Sequence, residues 1–371
     1  MTLNRRDFIK AAGATVAFGS LYGCAGGTKG SGNVVVIGGG YGGATVAKYL
    51  RMWSDGGINV TLVDPTPNFV SCPISNLVLA GEKTMADITT SYDGLRKHGV
   101  TVVIDSAKAV DPAKRTVTLA KGGTLSYDRL VVSPGIDFMW DSVPGLTEAV
   151  SESKILHAWK AGPQTVALRK QLEDMKDGGV YALCIPKGPY RCPPGPYERA
   201  SMIANYFKAK KPKSKVLILD ANADVVSKGP LFKKAWTDLY SGMLEYRGNH
   251  SITKLDAASQ TVEFEFGDKV KADVLNIVPA QKAGMIATAA GLSNVGGRWC
   301  GVDWKTLEST AHKNIHVLGD STAATAGMPK SGHMTTQHAK VAAAAIVNLM
   351  SGQPAPDPMV IANTCYSFVS A

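Results

Sequence analysis

Residues 33–50 read Asn-Val-Val-Val-Ile-Gly-Gly-Gly-Tyr-Gly-Gly-Ala-Thr-Val-Ala-Lys-Tyr-Leu: an apolar run, a glycine-rich turn and a segment with helical spacing. Gly38, Gly40 and Gly43 fit the pattern G-x-G-x-x-G. The first glycine permits a tight turn, the second lets a pyrophosphate approach the backbone, and the third lets helix and strand pack closely. The stretch predicts a strand, a turn and a helix whose positive N-terminus binds the pyrophosphate of a dinucleotide.

A carboxylate follows the next apolar segment, residues 59–63, at Asp64. In units of this kind an acid after the second strand accepts hydrogen bonds from ribose hydroxyls. A glycine pattern alone is a weak signal. Strand, glycines, helix, strand and acid in this order favour dinucleotide binding.

Two later segments favour FAD over NAD. Residues 127–135, which end in Gly135, and residues 314–320, which end in Gly319 and Asp320, both read as apolar strands followed by a turn. Either alone could be an ordinary buried strand. Together they resemble the strand that returns to the FAD domain, and the segment whose aspartate binds the ribityl chain, in two-dinucleotide disulfide oxidoreductases.

A second glycine pattern is missing after the apolar segment 179–185, where a pyridine-nucleotide reductase would carry one. Residues 186–196 read Pro-Lys-Gly-Pro-Tyr-Arg-Cys-Pro-Pro-Gly-Pro there. Prolines lack the N–H donor and fix φ, so this turn is poorly suited to binding a pyrophosphate. Since residues 215–220 read as the next strand, we expect a second Rossmann-like domain that binds no NAD(P)H.

Four segments and the N-terminal leader resemble the flavoprotein subunit of flavocytochrome c sulfide dehydrogenase. The segments are Cys-Pro-Ile-Ser-Asn (72–76), Arg-Cys-Pro-Pro-Gly-Pro-Tyr-Glu-Arg (191–199), Met-Pro-Lys-Ser-Gly (328–332) and Asn-Thr-Cys-Tyr-Ser (363–367). The likeness covers nearly the whole chain. It implies an α/β fold with two Rossmann-like dinucleotide-binding-type domains, as in glutathione reductase.

The motifs and the resemblance divide the chain into five predicted parts. These are a twin-arginine export signal (1–30), the first part of the FAD-binding domain (31–145), a second Rossmann-like domain without an NAD fingerprint (146–285), a return segment of the FAD-binding domain (286–350) and the start of a C-terminal domain (351–371). The family's chain continues well beyond the last segment, so we expect the C-terminal domain to be truncated.

The N-terminus predicts the compartment. Residues 4–10, Asn-Arg-Arg-Asp-Phe-Ile-Lys, precede a weakly apolar segment and resemble a twin-arginine signal, with a disordered basic tail as the alternative. Leu21-Tyr-Gly-Cys24 resembles a lipoprotein processing site, so a lipid anchor at Cys24 is a further alternative, although Tyr22 is atypical there. We expect a periplasmic protein, in a compartment where disulfides persist.

Composition sets limits on the function. With 45% hydrophobic and 19% charged residues in 371, the chain is ordinary for a globular protein of two domains. No stretch approaches the roughly 18 apolar residues of a membrane span. The net charge of +10 could attract an acidic partner or the hydrosulfide anion. No basic run with interleaved aromatics suggests nucleic acid, and the scattered histidines, among them His333 and His338, give no reason to expect a metal.

Five cysteines lie outside the leader: Cys72, Cys184, Cys192, Cys300 and Cys365. The resemblance implies a thioether between Cys72 and the flavin 8α carbon. It also implies a redox-active disulfide between Cys192 and Cys365 over the isoalloxazine ring, with Cys365 nearer the flavin. From spacing alone, a plain stabilising disulfide is as good an interpretation. Cys184 and Cys300 read as small apolar packing residues.

Three more residues are candidates for the site. Glu198 lies in the first turn of a predicted helix, where it would interact favourably with the positive helix end. The resemblance implies that it also acts as general acid or base on the incoming sulfide or departing thiolate. Lys330 and Gly332 precede a helical run, 335–349, whose N-terminus would face flavin N1 and O2 and stabilise negative charge there.

The resemblance implies oxidation of hydrosulfide through the disulfide and FAD. Hydrosulfide would attack one sulfur, and the resulting thiolate would pass two electrons to the flavin. The chain has no Cys-x-x-Cys-His for haem, so we expect a separate c-type cytochrome subunit as electron acceptor. The alternatives are a sulfide:quinone oxidoreductase and a truncated, non-catalytic flavin-binding subunit.

Overall fold

The computed structural model describes residues 30–325 and 327–371. The predicted export signal up to residue 29, and with it the predicted lipid anchor at Cys24, lies outside the described residues. Within the described part of the chain, no helix is both long enough and apolar enough to cross a membrane.

Nineteen strands form the sheets of the described residues. They are β1 (Gly32–Ile37), β2 (Ile58–Asp64), β3 (Asn68–Val70), β4 (Thr89–Ser91), β5 (Thr101–Ile104), β6 (Ala107–Asp111), β7 (Thr116–Leu119), β8 (Thr124–Ser126), β9 (Arg129–Val132), β10 (Ile136–Met139), β11 (Val180–Ile185), β12 (Lys215–Asp220), β13 (Leu244–Arg247), β14 (Ile252–Asp256), β15 (Thr261–Phe264), β16 (Lys269–Lys271), β17 (Val274–Ile277), β18 (Ala280–Ala283) and β19 (Ile315–Val317).

Nine α-helices and three single 3₁₀ turns accompany these strands in the described residues. The helices are α1 (Tyr41–Trp53), α2 (Ser75–Ala80), α3 (Asp93–Lys97), α4 (Glu148–Ser153), α5 (Pro163–Asp174), α6 (Gly195–Lys210), α7 (Gly229–Tyr240), α8 (Met285–Ala289) and α9 (Gly332–Met350). The 3₁₀ turns are Ala86–Ile88, Trp140–Ser142 and Gly319–Ser321.

The first sheet is parallel throughout, with the strand order β19-β9-β1-β2-β5. Its central strand β1 is buried from Val34 to Ile37, as expected for a parallel strand that is covered on both faces. Helix α1 packs against the long helix α9 beside this sheet. The predicted unit of strand, glycine turn, helix and strand is confirmed here, with β1, α1 and β2 in the predicted places.

The second sheet is also parallel, with the order β13-β12-β11-β17. Strands β11 and β12 are those predicted in the middle of the chain, and α6 packs against β12. Two parallel sheets with helices packed on them confirm the predicted α/β class with Rossmann-like domains.

The chain leaves the first sheet after β9 and returns to it at β19. Between these strands, β10 and β18 pair antiparallel, with Ile136 opposite Ala283, and the second sheet lies between them in the sequence. Small antiparallel sheets, β6-β7-β8 and β14-β15-β16, complete the fold with the pair β3-β4. The predicted boundaries at residues 145, 285 and 350 stay predictions.

Candidate functional site

A cavity of about 620 Å³ opens at the carboxyl ends of β1 and β2. Ligands of open parallel sheets bind outside this edge. Eight of the predicted site residues line the cavity: Gly38, Gly40, Asp64, Cys72, Gly135, Cys192, Asp320 and Gly332. The other five, Gly43, Glu198, Gly319, Lys330 and Cys365, are not among its lining residues.

The glycine turn has no room for side chains at two of its three positions. Gly38 has a φ of +95°, and a Cβ on it would lie 2.3 Å from Ser133 O. A Cβ on Gly43 would lie 1.7 Å from Gly38 O. A Cβ on Gly40, by contrast, would meet only a Phe69 ring carbon at 4.0 Å, so this backbone faces open space at the start of α1. The turn can therefore receive a pyrophosphate as predicted from the sequence.

Asp64 is held against this turn by hydrogen bonds to its carboxylate. The backbone N–H of Gly39 donates to Oδ2 at 2.7 Å. Thr66 donates to Oδ1 from its backbone N–H at 2.9 Å and from its hydroxyl at 2.6 Å. The carboxylate is thereby fixed beside the cavity, where a ribose hydroxyl would meet an acceptor.

Asp320 brings an unsatisfied acceptor to the opposite part of the cavity. Its Oδ1 is buried and has no hydrogen-bond donor among the described residues. Burial raises the pKa of this carboxyl, and the charges of Arg191 and Lys330 oppose the shift. Because a buried polar atom without a partner is costly, Oδ1 indicates a site that a ligand hydroxyl would complete.

Lys330 supports the backbone at Asp320 and does not face the cavity. Its Nζ donates to Asp320 O at 2.9 Å and also to Thr322 O. It lies 3.6 Å from the centroid of the Trp299 ring, and burial lowers the pKa of the amine to about 8. Gly319, with a φ of +77°, turns the chain at the same place. Both residues are thus placed to fix Asp320, whereas Gly332 at the start of α9 reaches the cavity itself.

Cys72 and an arginine that the sequence did not single out meet at the cavity wall. Arg191 Nη2 lies 3.2 Å from Cys72 Sγ, and Sγ donates to Trp159 O at 2.9 Å. Arg191 immediately precedes Cys192 in the proline-rich turn. Its charged side chain beside a candidate cysteine was the only sequence signal for this role.

Cys192 lies in a strained turn. Its φ is +58°, in the left-handed region that non-glycine residues rarely adopt. Its N–H donates to Lys330 O at 2.7 Å, and its carbonyl accepts from Gly195 N at 2.7 Å. Burial raises the pKa of its thiol, and the nearby Glu198 and Cys365 add to the shift. Such strain persists where the surroundings enforce it, frequently at functional sites.

The predicted disulfide between Cys192 and Cys365 is absent from this structure. All five described cysteines carry free thiols. Cys365 Sγ donates to the Tyr366 carbonyl at 3.7 Å. Cys192 lines the cavity and Cys365 does not, so the assignment of Cys365 as the sulfur nearer the flavin stays a prediction.

Residues 363–369, which we call the C-terminal strap, carry Cys365 and are fastened by hydrogen bonds to three other parts of the chain. Lys228 Nζ donates to Cys365 O at 2.6 Å and to Ser367 Oγ at 3.0 Å. Further bonds run from Ser331 Oγ to Asn363 Oδ1 at 2.8 Å, from Thr364 N to His333 Nδ1 at 2.8 Å, from Phe368 N to Glu198 Oε2 at 3.0 Å and from Tyr240 OH to Val369 O.

Glu198 connects the strap to the segment that follows Cys72. Its side chain is buried in the first turn of α6, where Asn76 Nδ2 donates to Oε1 at 3.0 Å and Phe368 N donates to Oε2. Burial raises the pKa of the carboxyl. A carboxyl with a raised pKa between the segments of two candidate cysteines is suited to moving protons there.

Arg199 is a second cavity residue that the sequence analysis left without a role. It is 2% exposed, and its guanidinium donates to four oxygen atoms, those of Asn76 Oδ1, His157 O, Ala158 O and Asn276 Oδ1. It forms no ion pair among the described residues. Its place at the end of the 191–199 motif could have marked it as a candidate.

The acid at the end of β12, in the second Rossmann-like unit, is hydrogen-bonded by protein groups. Asp220, at the end of β12, is fully buried and accepts from Tyr197 OH at 2.7 Å and Tyr246 OH at 3.1 Å. Asn222 ties down the preceding turn, because it accepts from Gly188 N at 3.2 Å and donates to Pro186 O at 3.1 Å. The Asp220 carboxylate and the turn at residues 186–188 therefore already form hydrogen bonds with neighbouring protein groups.

Comparison with known proteins agrees with this geometry. The family model described as "sulfide dehydrogenase (flavocytochrome c) flavoprotein chain, central" matches residues 165–279, and the one described as "pyridine nucleotide-disulphide oxidoreductase" matches residues 32–171. The flavocytochrome c sulfide dehydrogenase flavoprotein chain of Chlorobaculum thiosulfatiphilum is 60% identical over 52 residues, which are 14% of this chain and all of that sequence.

Sulfide:quinone oxidoreductases are similar over most of the chain. The mitochondrial protein of Dictyostelium discoideum is 26% identical over 333 residues, which cover 86% of this chain and 72% of that protein. The solved structure of the Aquifex aeolicus protein superposes with a TM-score of 0.75 at 23% identity, over 87% of this chain and 78% of that one, which shows the shared fold. The chain belongs to the pyridine nucleotide-disulfide oxidoreductase family of flavoproteins, among the sulfide-oxidising members related to sulfide:quinone oxidoreductase and flavocytochrome c sulfide dehydrogenase.

Proposed function

We propose that this protein is the flavoprotein subunit of a periplasmic sulfide dehydrogenase. It oxidises hydrosulfide through Cys192, Cys365 and FAD, and a c-type cytochrome subunit receives the electrons. The observation that carries this proposal is the cavity, because Cys72 and Cys192 line the same space as the glycine turn and Asp320. The similarity to the Chlorobaculum flavoprotein chain supports the choice of cytochrome as acceptor.

The residues of the cavity fit FAD. The glycine turn around Gly40 would hold the pyrophosphate, Asp64 a ribose, and Asp320 Oδ1 a hydroxyl of the ribityl chain. Cys72 would attach the cofactor covalently. Bound in this way, FAD would accept two electrons from a thiol pair and give them up singly to a cytochrome.

The cysteine pair performs the sulfur chemistry. In the oxidised protein, hydrosulfide attacks one sulfur of a Cys192–Cys365 disulfide, and a new S–S bond forms as the old one breaks. The electron pair of the broken bond leaves on the second cysteine as a thiolate. The attacked cysteine carries a persulfide, so the substrate sulfur has been oxidised by two electrons and the protein disulfide reduced by two.

Glu198 supplies the proton transfer that these steps require. Its raised pKa favours the protonated form, which can give a proton to the departing thiolate. The Phe368 N–H donates to this carboxyl, which therefore lies against the strap that bears Cys365.

NAD(P)H has no place in this scheme. The occupied Asp220 and the proline-rich turn support a second Rossmann-like domain that serves as scaffold and carries Cys192 to the cavity. No haem is expected in this chain, so the cytochrome is a separate subunit.

A sulfide:quinone oxidoreductase is the second candidate. Relatives with that name align over 86% and 87% of this chain, a far longer match than the 52 residues shared with the flavocytochrome c protein. The two enzymes would share the cavity and the cysteines and differ in the acceptor. A non-catalytic flavin-binding subunit is the third candidate.

The test is an anaerobic titration with sulfide, followed by a choice of acceptor. We expect sulfide to bleach the flavin of the wild-type protein, and oxidised cytochrome c, but not a short-chain quinone, to restore its absorbance. Cys192→Ser should slow bleaching by more than about 1000-fold. Cys300→Ala, which removes a buried thiol outside the cavity lining, is the matched control and should bleach normally.

Each other outcome selects one of the alternatives. Reoxidation by quinone alone would identify a sulfide:quinone oxidoreductase. A flavin that sulfide does not reduce would identify a binding subunit. Cell fractionation and the mass of the mature chain would test export to the periplasm and the lipid at Cys24.

A further inference from the structure

Arg191 and Cys72 meet at the cavity wall although 119 positions separate them in the sequence. One N–H of Arg191 Nη2 donates to Cys72 Sγ at 3.2 Å, and the same nitrogen donates to Trp159 O. The thiol donates to that carbonyl too, at 2.9 Å. Guanidinium, sulfur and carbonyl therefore form a closed triangle of hydrogen bonds.

Arg191 forms no ion pair among the described residues, although its charge acts on the buried Asp320 carboxyl. Its backbone N–H donates to Oε1 of the fully buried Gln281 at 2.8 Å, which fixes the start of the side chain. A fixed cation that donates a hydrogen bond to Sγ holds the sulfur in place and offers it a positive charge as the S–H bond breaks.

We propose that Arg191 is the positioning residue for covalent attachment of FAD, because its guanidinium holds Cys72 Sγ at the cavity wall and stabilises the thiolate that forms the bond. This inference rests on the proposed function. When the thiol proton leaves, Trp159 O loses one donor and keeps its hydrogen bond from Arg191. The sulfur likewise keeps Arg191 as a donor, so the two hydrogen bonds from Arg191 survive ionisation and the one from the sulfur to the carbonyl is lost.

The attachment balances without an outside oxidant. The S–H bond of Cys72 and one C–H bond of the 8α methyl group break, and an S–C bond forms. The two electrons and two protons that are released stay with the bound cofactor until the electron acceptor of the proposed reaction removes them. Arg191 exchanges no atoms in this step.

The first experiment measures the fraction of flavin that stays on the acid-denatured chain, by mass and absorbance. Arg191→Gln removes the charge, Arg191→Lys keeps it, and Lys160→Gln removes a positive charge from the same cavity without touching Cys72. With total bound flavin equal, we expect the Gln variant to retain about tenfold less flavin than wild type or still less. The Lys variant should recover part of the loss, and Lys160→Gln should match wild type.

A second measurement decides the matter if Arg191→Gln binds no flavin. The full chain is produced under riboflavin limitation, and the alkylation rate of Cys72 by iodoacetamide at pH 7.5 is followed on its peptide. We expect about tenfold slower alkylation in Arg191→Gln and partial rescue in Arg191→Lys.

Equal retention or equal alkylation in wild type and Arg191→Gln would overturn the role of Arg191. Failure of the proposed function looks different. If sulfide does not bleach the flavin of the wild-type protein, the proposed function is wrong. If the wild-type protein loses its flavin on denaturation, there is no covalent link. Both conclusions hold whatever the behaviour of the Arg191 variants.

Discussion

At the level of a single residue, Asp320 shows how one buried acceptor without a donor can mark a ligand site. Its Oδ1 is buried and has no donor among the described residues, although a hydrogen-bond partner is the rule for buried oxygens. Removing the group should cost the bound cofactor one hydrogen bond to a charged acceptor, about 1.5–3 kcal/mol.

We therefore expect Asp320→Ala to weaken FAD binding by about 10- to 100-fold. The measurement is a fluorescence titration in a Cys72→Ala background, where binding is reversible. Asp137→Ala is the control, since that carboxylate lines the cavity but already accepts from Phe138 N and Lys160 Nζ. An affinity unchanged by Asp320→Ala would mean that Oδ1 does not contact the cofactor.

Lys330 gives a prediction of pH dependence. Burial lowers the pKa of its amine from 10.5 to about 8, so between these values the unfolded chain binds a proton that the folded protein does not. Stability must then rise with pH across this window. The free energy of unfolding of wild type, relative to that of Lys330→Met, should therefore rise by up to roughly 3 kcal/mol between pH 8 and 10.5.

Urea unfolding of both proteins at several pH values measures this difference. Lys234→Met is the control, because that side chain is 75% exposed and pairs only with a neighbour on the same helix. If the difference in unfolding free energy between wild type and Lys330→Met stays constant across the window, the lowered pKa of the buried Lys330 amine is contradicted.

The residues predicted from the sequence are those whose chemistry is local. Gly38 is required by its positive φ and Gly43 by its contact with Gly38 O, both within one turn, and Asp64 follows directly from the same pattern. The partners of Cys72 and Glu198 were not predictable, because Arg191 and Phe368 lie 119 and 170 positions away in the chain. Only the folded backbone brings such groups together.

At the scale of elements, the C-terminal strap is an irregular segment that hydrogen bonds fasten to residues at the starts of α6, α7 and α9. Lys228, at the start of α7, makes two of its hydrogen bonds, and the strap side chains of Tyr366 and Phe368 are exposed. A short segment with little burial depends strongly on such anchors.

Lys228→Met should therefore slow formation of the Cys192–Cys365 disulfide by about tenfold, since losing two hydrogen bonds of roughly 1 kcal/mol each loosens the strap. Thiol counts after a pulse of oxidant, resolved by peptide mass, measure the rate. Lys233→Met removes a cation on the same helix that pairs with Asp224 and should leave the rate unchanged. Equal rates in all three proteins would show that Lys228 does not position Cys365.

The elements were largely predictable, although their ends were not. Strand β12 has the predicted bounds, and the helix predicted to carry Glu198 in its first turn does so, beginning at Gly195 inside the proline-rich turn. Prolines are tolerated in the first turn of a helix, which needs no donor there. The helix predicted over residues 335–349, by contrast, begins earlier, at Gly332.

For the whole molecule, the important feature is that two similar sheets differ at the edge where a dinucleotide would bind. The first sheet presents an open glycine turn, whereas the second has its corresponding acid, Asp220, bound to Tyr197 and Tyr246. The sequence alone indicated that the second glycine pattern is missing. The two tyrosines that donate hydrogen bonds to Asp220 became apparent only in the structure.

We expect NADH and NADPH, each at about 1 mM, near the upper end of ordinary enzyme KM values, to leave the flavin absorbance unchanged. Sulfide should bleach it in the same anaerobic cuvette. Tyr246→Phe removes one of the two tyrosine hydrogen bonds to Asp220. We expect that this variant does not respond to either nucleotide. Rapid bleaching of the wild-type protein by either nucleotide would refute the scaffold role of the second sheet.

The return of the chain to the first sheet at β19 also determines when the protein can acquire its cofactor. Walls of the cavity come from Gly38 near the beginning and from Gly332 and Thr335 near the end of the described chain. The chain from Gly38 to Thr335 must therefore be synthesised before the flavin site exists. Export by a route for folded proteins, as predicted from Arg5 and Arg6, would then place cofactor loading before secretion.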